Sequence, residues 1–512
     1  MAKFVYRKLL PIFVGGVLAL TAYFTYDGYT KSVTPSAFEL AANRLGFNGY
    51  KKANKIVSAA DHQEALLKQL QIAGYFQPET LWQTINHLGV KDPATTFTKI
   101  YSAVKKSKAD QSDPSKFNAK ILRKNLGKGT ELDEQDAMDL ILYTAQNAFG
   151  RKLGQERNEL ASQDWMNTYK TDYFAAATIL RLIDRETPER QEYDKAWIAG
   201  ASRIGVLTRI IDYDYTLSKY NIKVRGETSI LAGERGLWAN IDGITPSVRD
   251  KLVEAYTTKR DLDTIDISLP TGEDKERVKE GQEYMAGLAA RSGIKLDPLS
   301  SFIQYATKEE CPPGHFPGRV YPKYVESEGR KLTETLMSED LLNTYPPTNV
   351  SAITTVDTLV DQHQRPTTAS TARDAATMFV KDIMSGKYGD QKEFVILLQT
   401  NNPYIERQKI ATQLQVNKVL KDYQLDKQGY KIKIDGVGFK CKQDVATVHS
   451  ELAALIAEKW KTATGEDALP KRSIEKLLFQ TRDNSSITTP WPDMREVGVR
   501  SLWQDFFDDY LS

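Results

Sequence analysis

Phe394-Val395-Ile396-Leu397-Leu398-Gln399-Thr400-Asn401-Asn402-Pro403-Tyr404-Ile405-Glu406-Arg407 is the stretch on which the fold turns. Its unbroken apolar start suits a strand buried on both faces of a sheet. The run ends in a hydroxyl and two amides, and a helix follows with Arg407 one turn inside it, directed back at the strand end. Buried polar groups at such an edge must be satisfied, and a ligand is one way to satisfy them. Two further turns have the same character: Ala232-Gly233-Glu234-Arg235-Gly236 and Leu269-Pro270-Thr271-Gly272-Glu273-Asp274. In an open parallel sheet such turns share the carboxyl edge of the strands, where a ligand crevice forms. A buried, anion-tolerant pocket is therefore the leading expectation.

Outward from these turns, strands are expected at 222–224, 228–232, 265–269, 350–356, 394–399 and 430–434. Helices are expected at 246–256, 274–291, 371–383, 404–423 and 443–460. The alternation predicts an α/β fold, a doubly wound Rossmann-like parallel sheet over residues 205–465. A proline- and glycine-rich insertion at 297–349 is expected to cover its mouth. Residues 31–204 carry apolar positions at three- and four-residue spacing, for example in 63–72, 137–148 and 174–183, and are expected to form an all-helical domain. Breaks fall at Pro78, Pro93, Pro114 and Pro188. This half shows no chemical motif and is read as a packing or partner-binding domain. Residues 466–512 are left as a C-terminal extension.

The chain of 512 residues has room for about two to four domains. Its 69 basic and 67 acidic side chains leave a net charge of +2, with no basic block to grip nucleic acid. Residues 1–30 read as an N-terminal membrane helix. Lys3, Arg7 and Lys8 precede the apolar run 9–24, which with Phe4, Val5 and Tyr6 approaches the ~20 residues of a span. Positive charge before the run keeps the N-terminus inside and exports the remainder. The expectation is a single-pass protein of the inner (cytoplasmic) membrane with its body in the periplasm; a cleaved signal peptide is the competing reading. Cys311 and Cys441 either pair or stay free, and do not make a metal site.

Four constellations are candidates for binding. The turn after residue 232 offers Gly233 for close backbone approach and a following helix end for an anion. Beyond Gly272, Glu273, Arg277 and Glu280 share one helix face, as a pocket mouth or as a solvated ion-pair stripe. Arg365-Pro366-Thr367-Thr368-Ala369-Ser370-Thr371-Ala372-Arg373 places hydroxyls between two guanidinium groups, either a helix cap or a phosphate clamp. The fourth is Thr400, Asn401 and Arg407.

Enzyme templates fit less well. Asp212-Tyr213-Asp214-Tyr215-Thr216 matches the Asp-x-Asp-x-Thr loop of haloacid-dehalogenase phosphatases, in which the first aspartate attacks phosphate beside Mg²⁺. Thr400 and Lys418 or Lys421 would be the later contacts, with Asp505, Asp508 or Asp509 as the late acid. No Gly-x-Ser-x-Gly elbow occurs. The histidines are scattered, and His363 alone stands beside a candidate segment.

The order of these motifs resembles the SanA/YdcF/ElyC-like envelope protein family, a Rossmann-like domain tethered by one N-terminal membrane helix. The likeness covers about 226–460 and lies in 229–233 with Arg249, in 268–272 with Glu280-Gly281, Tyr284-Met285 and Gly293, in Ser370-Thr371-Ala372-Arg373-Asp374-Ala375, and in 400–404 with Arg407. Departures are one glycine of a pair at Gly272, Arg373 for a glutamate, Asp374 for an asparagine and Tyr404 for a histidine. The resemblance implies a phosphate-bearing or nucleotide-like ligand and a role in the cell envelope. Arg249, Thr371, Arg373, Thr400, Asn401 and Arg407 are then expected to converge on that ligand. Glu280 would sit at the mouth, and Gly233 and Gly272 would permit close approach. A non-enzymatic helical scaffold of the envelope is the further alternative. The cofactor stays unidentified, and a protein partner is expected for the helical domain.

Overall fold

The structure, a computed structural model, describes residues 35–466 except 53–54, 109–112, 131, 150–163, 234, 268–274, 297–302, 305–319, 322–323, 326–331, 349, 351 and 359–366. The N-terminal basic and apolar segment, Gly272, Cys311, His363 and Arg365 thus lie outside the described residues. Among the described residues no helix is long and apolar enough to cross a membrane.

The N-terminal half is helical: α1 Ala37–Arg44, α2 Ala59–Ile72, α3 Pro78–Leu88, α4 Pro93–Ser107, α5 Ala119–Asn125, α6 Glu134–Phe149 and α7 Lys170–Ile179. Local chemistry sets the starts. Ser36 and Glu39 close a capping box on α1. Pro78 and Pro93 open α3 and α4, in the first turn where a missing N–H is harmless.

The α/β part begins earlier than the sequence suggested. Its central strand is β1, Lys195–Ala199, inside the segment expected to be helical. Then come β2 Thr228–Gly233, β3 Ile353–Thr358, β4 Glu393–Asn401 and β5 Lys431–Phe439. All pair in parallel, in the order β3-β2-β1-β4-β5. Helix α8, Arg203–Lys219, follows β1; α9 Pro246–Thr258 and α10 Lys275–Arg291 lie between β2 and β3. Helix α11, Glu334–Thr344, precedes β3 and packs on the same face of the sheet. Helices α12 Thr368–Met384 and α13 Ile405–Asp422 cover the other face, against Trp197, Leu231, Ile396 and Leu398.

Three expectations are corrected. Ile265–Ile267 follows a 3-10 turn and is not a strand of the sheet. Within 297–349, α11 belongs to the α/β core, burying Met337, Leu341 and Leu342 against the sheet. The helix expected at 443–460 is α14, Val445–Thr464, and it joins the helical core instead of the α/β core. It is buried on nearly every side, which marks a central helix.

His449 of α14 is buried between two tyrosine hydroxyls, Tyr173 2.5 Å from Nδ1 and Tyr75 3.4 Å from Nε2. Burial pushes its pKa down to about 3. Burial, then Lys459, pushes His62 down to about 4. Both are neutral when folded, whereas the unfolded chain takes up protons below the ordinary value of about 6.5. Stability should therefore be complete above that pH and fall as pH drops through 6 and 5, by up to about 1.4 kcal/mol per pH unit for each histidine. Denaturant titrations across that range check this, and His449→Gln should remove one proton's share of the slope.

Candidate functional site

In this strand order the chain leaves β1 toward β2 but leaves β4 toward β5, so the direction of winding reverses between β1 and β4. A crevice at the carboxyl edge is expected there. The turn after β1 is Gly200-Ala201-Ser202-Arg203-Ile204-Gly205, a Gly-x-Ser-x-x-Gly sequence between a strand and a helix. Gly200 has no room for a Cβ, which would overlap the Leu231 carbonyl of β2 and Glu334.

Arg209 spans the gap between the two strands. Its Nη1 donates to the carbonyls of Ala199 and Gly200, each at 2.7 Å, and its Nε donates to Asn401 Oδ1 at 3.0 Å. Beside it, the Arg203 backbone N–H in the first turn of α8 donates to Asp242 Oδ1 at 3.1 Å. Asp242 is wholly buried. It accepts a fork from Arg235, Nη1 to Oδ2 and Nη2 to Oδ1, both at 3.0 Å, and a bond from the Trp238 amide at 2.8 Å. Arg235 Nε reaches Glu334 at 3.2 Å. Arg203 Nη1 donates to both oxygens of Glu280, at 2.9 and 3.0 Å, and its guanidinium stacks 3.5 Å above Tyr284.

One turn deeper lies Asp212. Gln399 Nε2 donates to it at 2.8 Å, and Arg185 Nη2 donates to it at 2.8 Å while also binding Asp261 and Asp263. Burial raises the Asp212 pKa to about 6 against the pull of Arg185. Asp214 accepts from the amide and hydroxyl of Thr348 and pairs with Lys259. Both aspartates sit within α8 and are buried. The phosphatase reading needs an exposed loop at a strand end, so the structure corrects it: residues 212–216 are the inside of a helix.

The expected site residues that the structure describes do not bond to a common partner. Gly233 ends β2 opposite Thr358. Asn401 joins Arg209 at the switch point. Thr400 instead bonds Gln408, and Thr371 bonds the carbonyls of Thr367 and Thr368 within its own helix. Arg407 is held by Glu451 of α14. Arg249 and Arg373 are exposed, beside Asp250 and Asp422. Glu280 is an internal partner of Arg203, not a pocket mouth. Sequence reasoning missed Gly200, Ser202, Arg209 and Asp242, and it read Arg235 only as part of the turn after residue 232. The Gly-x-x-x-x-Gly spacing after Trp197-Ile198-Ala199 was the available signal, hidden because β1 was not recognised as a strand.

A cavity of about 720 Å³ opens at the opposite edge, where β4 and β5 begin. Its charges pair locally, Arg225 with Glu192 and Lys433 with Glu189, and α12 points its negative C-terminal end toward that edge. The switch point, by contrast, faces the positive N-terminal end of α8. Among the described residues no three His, Cys, Asp or Glu side chains are arranged to hold a metal. Burial pushes the Cys441 thiol up to about 12.

These residues define a mixed α/β protein on a five-stranded parallel sheet. Comparison with protein-family models, with curated proteins and with solved structures finds no match for this chain.

Removing Arg185 would take away the cation that three aspartates share, one of them fully buried. Arg185→Met should cost about 3–5 kcal/mol in a denaturant titration, the usual cost of breaking a buried pair. Adding Asp212→Asn should return part of that loss. A cost within about 0.5 kcal/mol, typical of surface changes, would refute the bridging role.

Proposed function

We propose that this is a membrane-anchored envelope protein whose Rossmann-like domain binds a phosphate-bearing or nucleotide-like ligand at the switch point between β1 and β4. One observation carries the reading: the glycine–serine–glycine turn opens α8 from the central strand, beside the carboxyl end of β4. Such a turn lets a ligand approach the backbone, and the helix end favours negative charge. Arg209 and Asn401 supply polar groups at the same place. The anchor is the basic and apolar start of the chain, which keeps the N-terminus inside and the body in the periplasm. The envelope role rests on the family resemblance, and the helical half is the surface for a protein partner. No activated nucleophile lies among the described rim residues, so the reading is binding rather than hydrolysis.

A second reading, a scaffold without a ligand, is favoured by one fact. The rim arginines Arg203, Arg235 and Arg407 are each bonded to an internal carboxylate.

Thermal denaturation of the full-length protein in detergent with nucleotides and sugar phosphates separates the two. The binding reading expects a saturable rise in Tm; a ligand at about a hundred times its Kd contributes about 2.7 kcal/mol. Ser202→Glu, which places a carboxylate in the turn, should abolish the rise. Indifference of the wild-type protein to every such compound leaves the scaffold.

A further inference from the structure

The N-terminus of α8 is capped in an unusual way. Ser202 occupies the N-cap position, yet its side chain makes no capping bond. The first-turn amide of Arg203 is taken instead by Asp242, which lies 39 residues further along the chain. The other three bonds to that carboxylate are the two prongs of Arg235 and the Trp238 amide. A guanidinium fork together with backbone N–H groups at a helix N-terminus is how proteins hold a phosphate oxyanion. A second observation concerns Arg203 itself. The residue is 8% exposed, its Nη1 reaches the Asp242 carbonyl at 3.4 Å, and its Nε has no hydrogen-bond partner among the described residues.

We propose that the Arg203–Arg235–Trp238 cluster at the head of α8 is an oxyanion site and that the Asp242 carboxylate is its resident internal ligand. A phosphate group takes the site only as part of a larger ligand whose other contacts add to its binding, and the Asp242 carboxylate otherwise keeps it closed to free anions, inorganic phosphate included. The inference rests on the function proposed above in placing the anionic group of the ligand at this turn. No covalent step is involved. The segment carrying Asp242 is held by close backbone packing, since a Cβ on Gly281 of α10 would overlap the Ala239 carbonyl. The internal ligand is therefore delivered at a fixed position and outcompetes a free ion.

Truncation with chemical replacement tests this. Asp242→Ala in the full-length protein removes the carboxylate and leaves its donors. The variant should melt below the wild type, and formate or inorganic phosphate should raise its Tm saturably, while chloride at equal ionic strength does not. The wild type and Asp242→Asn, in which a side chain still fills the place, should not respond. An Asp242→Ala protein that responds to formate and phosphate no more than the wild type does would overturn the proposal. Should that variant fail to stay folded through purification, its refolding yield in formate or phosphate against chloride gives the same reading: a higher yield supports the site, equal yields sink it. The nucleotide and sugar-phosphate screen uses the wild-type protein, so failure of one idea is distinguishable from failure of the other.

Discussion

A fully buried carboxylate is tolerable only where donors meet its oxygens, and the carboxyl edge of this sheet is arranged around meeting those of Asp242. Its four bonds come from α8, from Arg235 just after β2, and from the loop at Trp238. Satisfying them fixes the β1 turn against the β2 turn. The remaining donors then recruit further elements: Arg235 reaches Glu334 of α11, and Arg203 reaches Glu280 of α10. Glu334–Arg235–Asp242 and Arg203–Glu280 are thus two ion-paired groups, joined into one polar chain by the Arg203 backbone N–H on Asp242. Its worth lies less in pairwise attraction, which desolvation largely offsets, than in the cost of leaving any member alone.

That chain explains which parts of the fold were legible. The strand at 394–401 announced itself by five consecutive apolar residues, and α12 and α13 by apolar spacing before recognisable turns. β1 did not, because Lys195-Ala196-Trp197-Ile198-Ala199 has two alanines and no alternation; a strand buried on both faces needs none. β5 ran on past its expected end because Asp435-Gly436-Val437-Gly438 reads as a turn. In the fold, Asp435 accepts from Tyr193, while a Cβ on Gly436 would press on Ile405 and Lys409. The aspartates of α8 were open to a loop reading although Val206, Leu207, Ile210, Ile211 and Leu217 follow helical spacing and are buried.

For the site, position along the chain was readable and side-chain direction was not. Arg249 and Arg373 stand near the starts of α9 and α12, as a ligand clamp would require, yet packing turns both to solvent. Asp242 carried no motif and Arg235 only that of its turn, because their pairing depends on two turns meeting across the sheet. The assignment of α14 failed for a related reason. An apolar helix of that length shows in sequence that it is buried, but not which core it enters. It enters the helical one, and Arg407–Glu451 ties it back to α13.

The heads of α8 and α13 differ in how their positive charge is met. Both helices begin at the carboxyl edge, and both present a positive end there. α13 answers it from within its own first turn through Glu406. Burial raises that carboxyl, but Lys409 and Arg181 outweigh it and hold the pKa at about 2. That end is also closed by the helical half, through Arg181 on Glu406 and the Asn402 amide on the Asp184 carbonyl. α8 has no acid in its first turn. Its negative charge arrives from a separate segment, at the one place where the winding of the sheet reverses. The two heads therefore differ in kind: that of α13 is closed by its own helix and by the helical half, whereas that of α8 is met by a carboxylate from another segment.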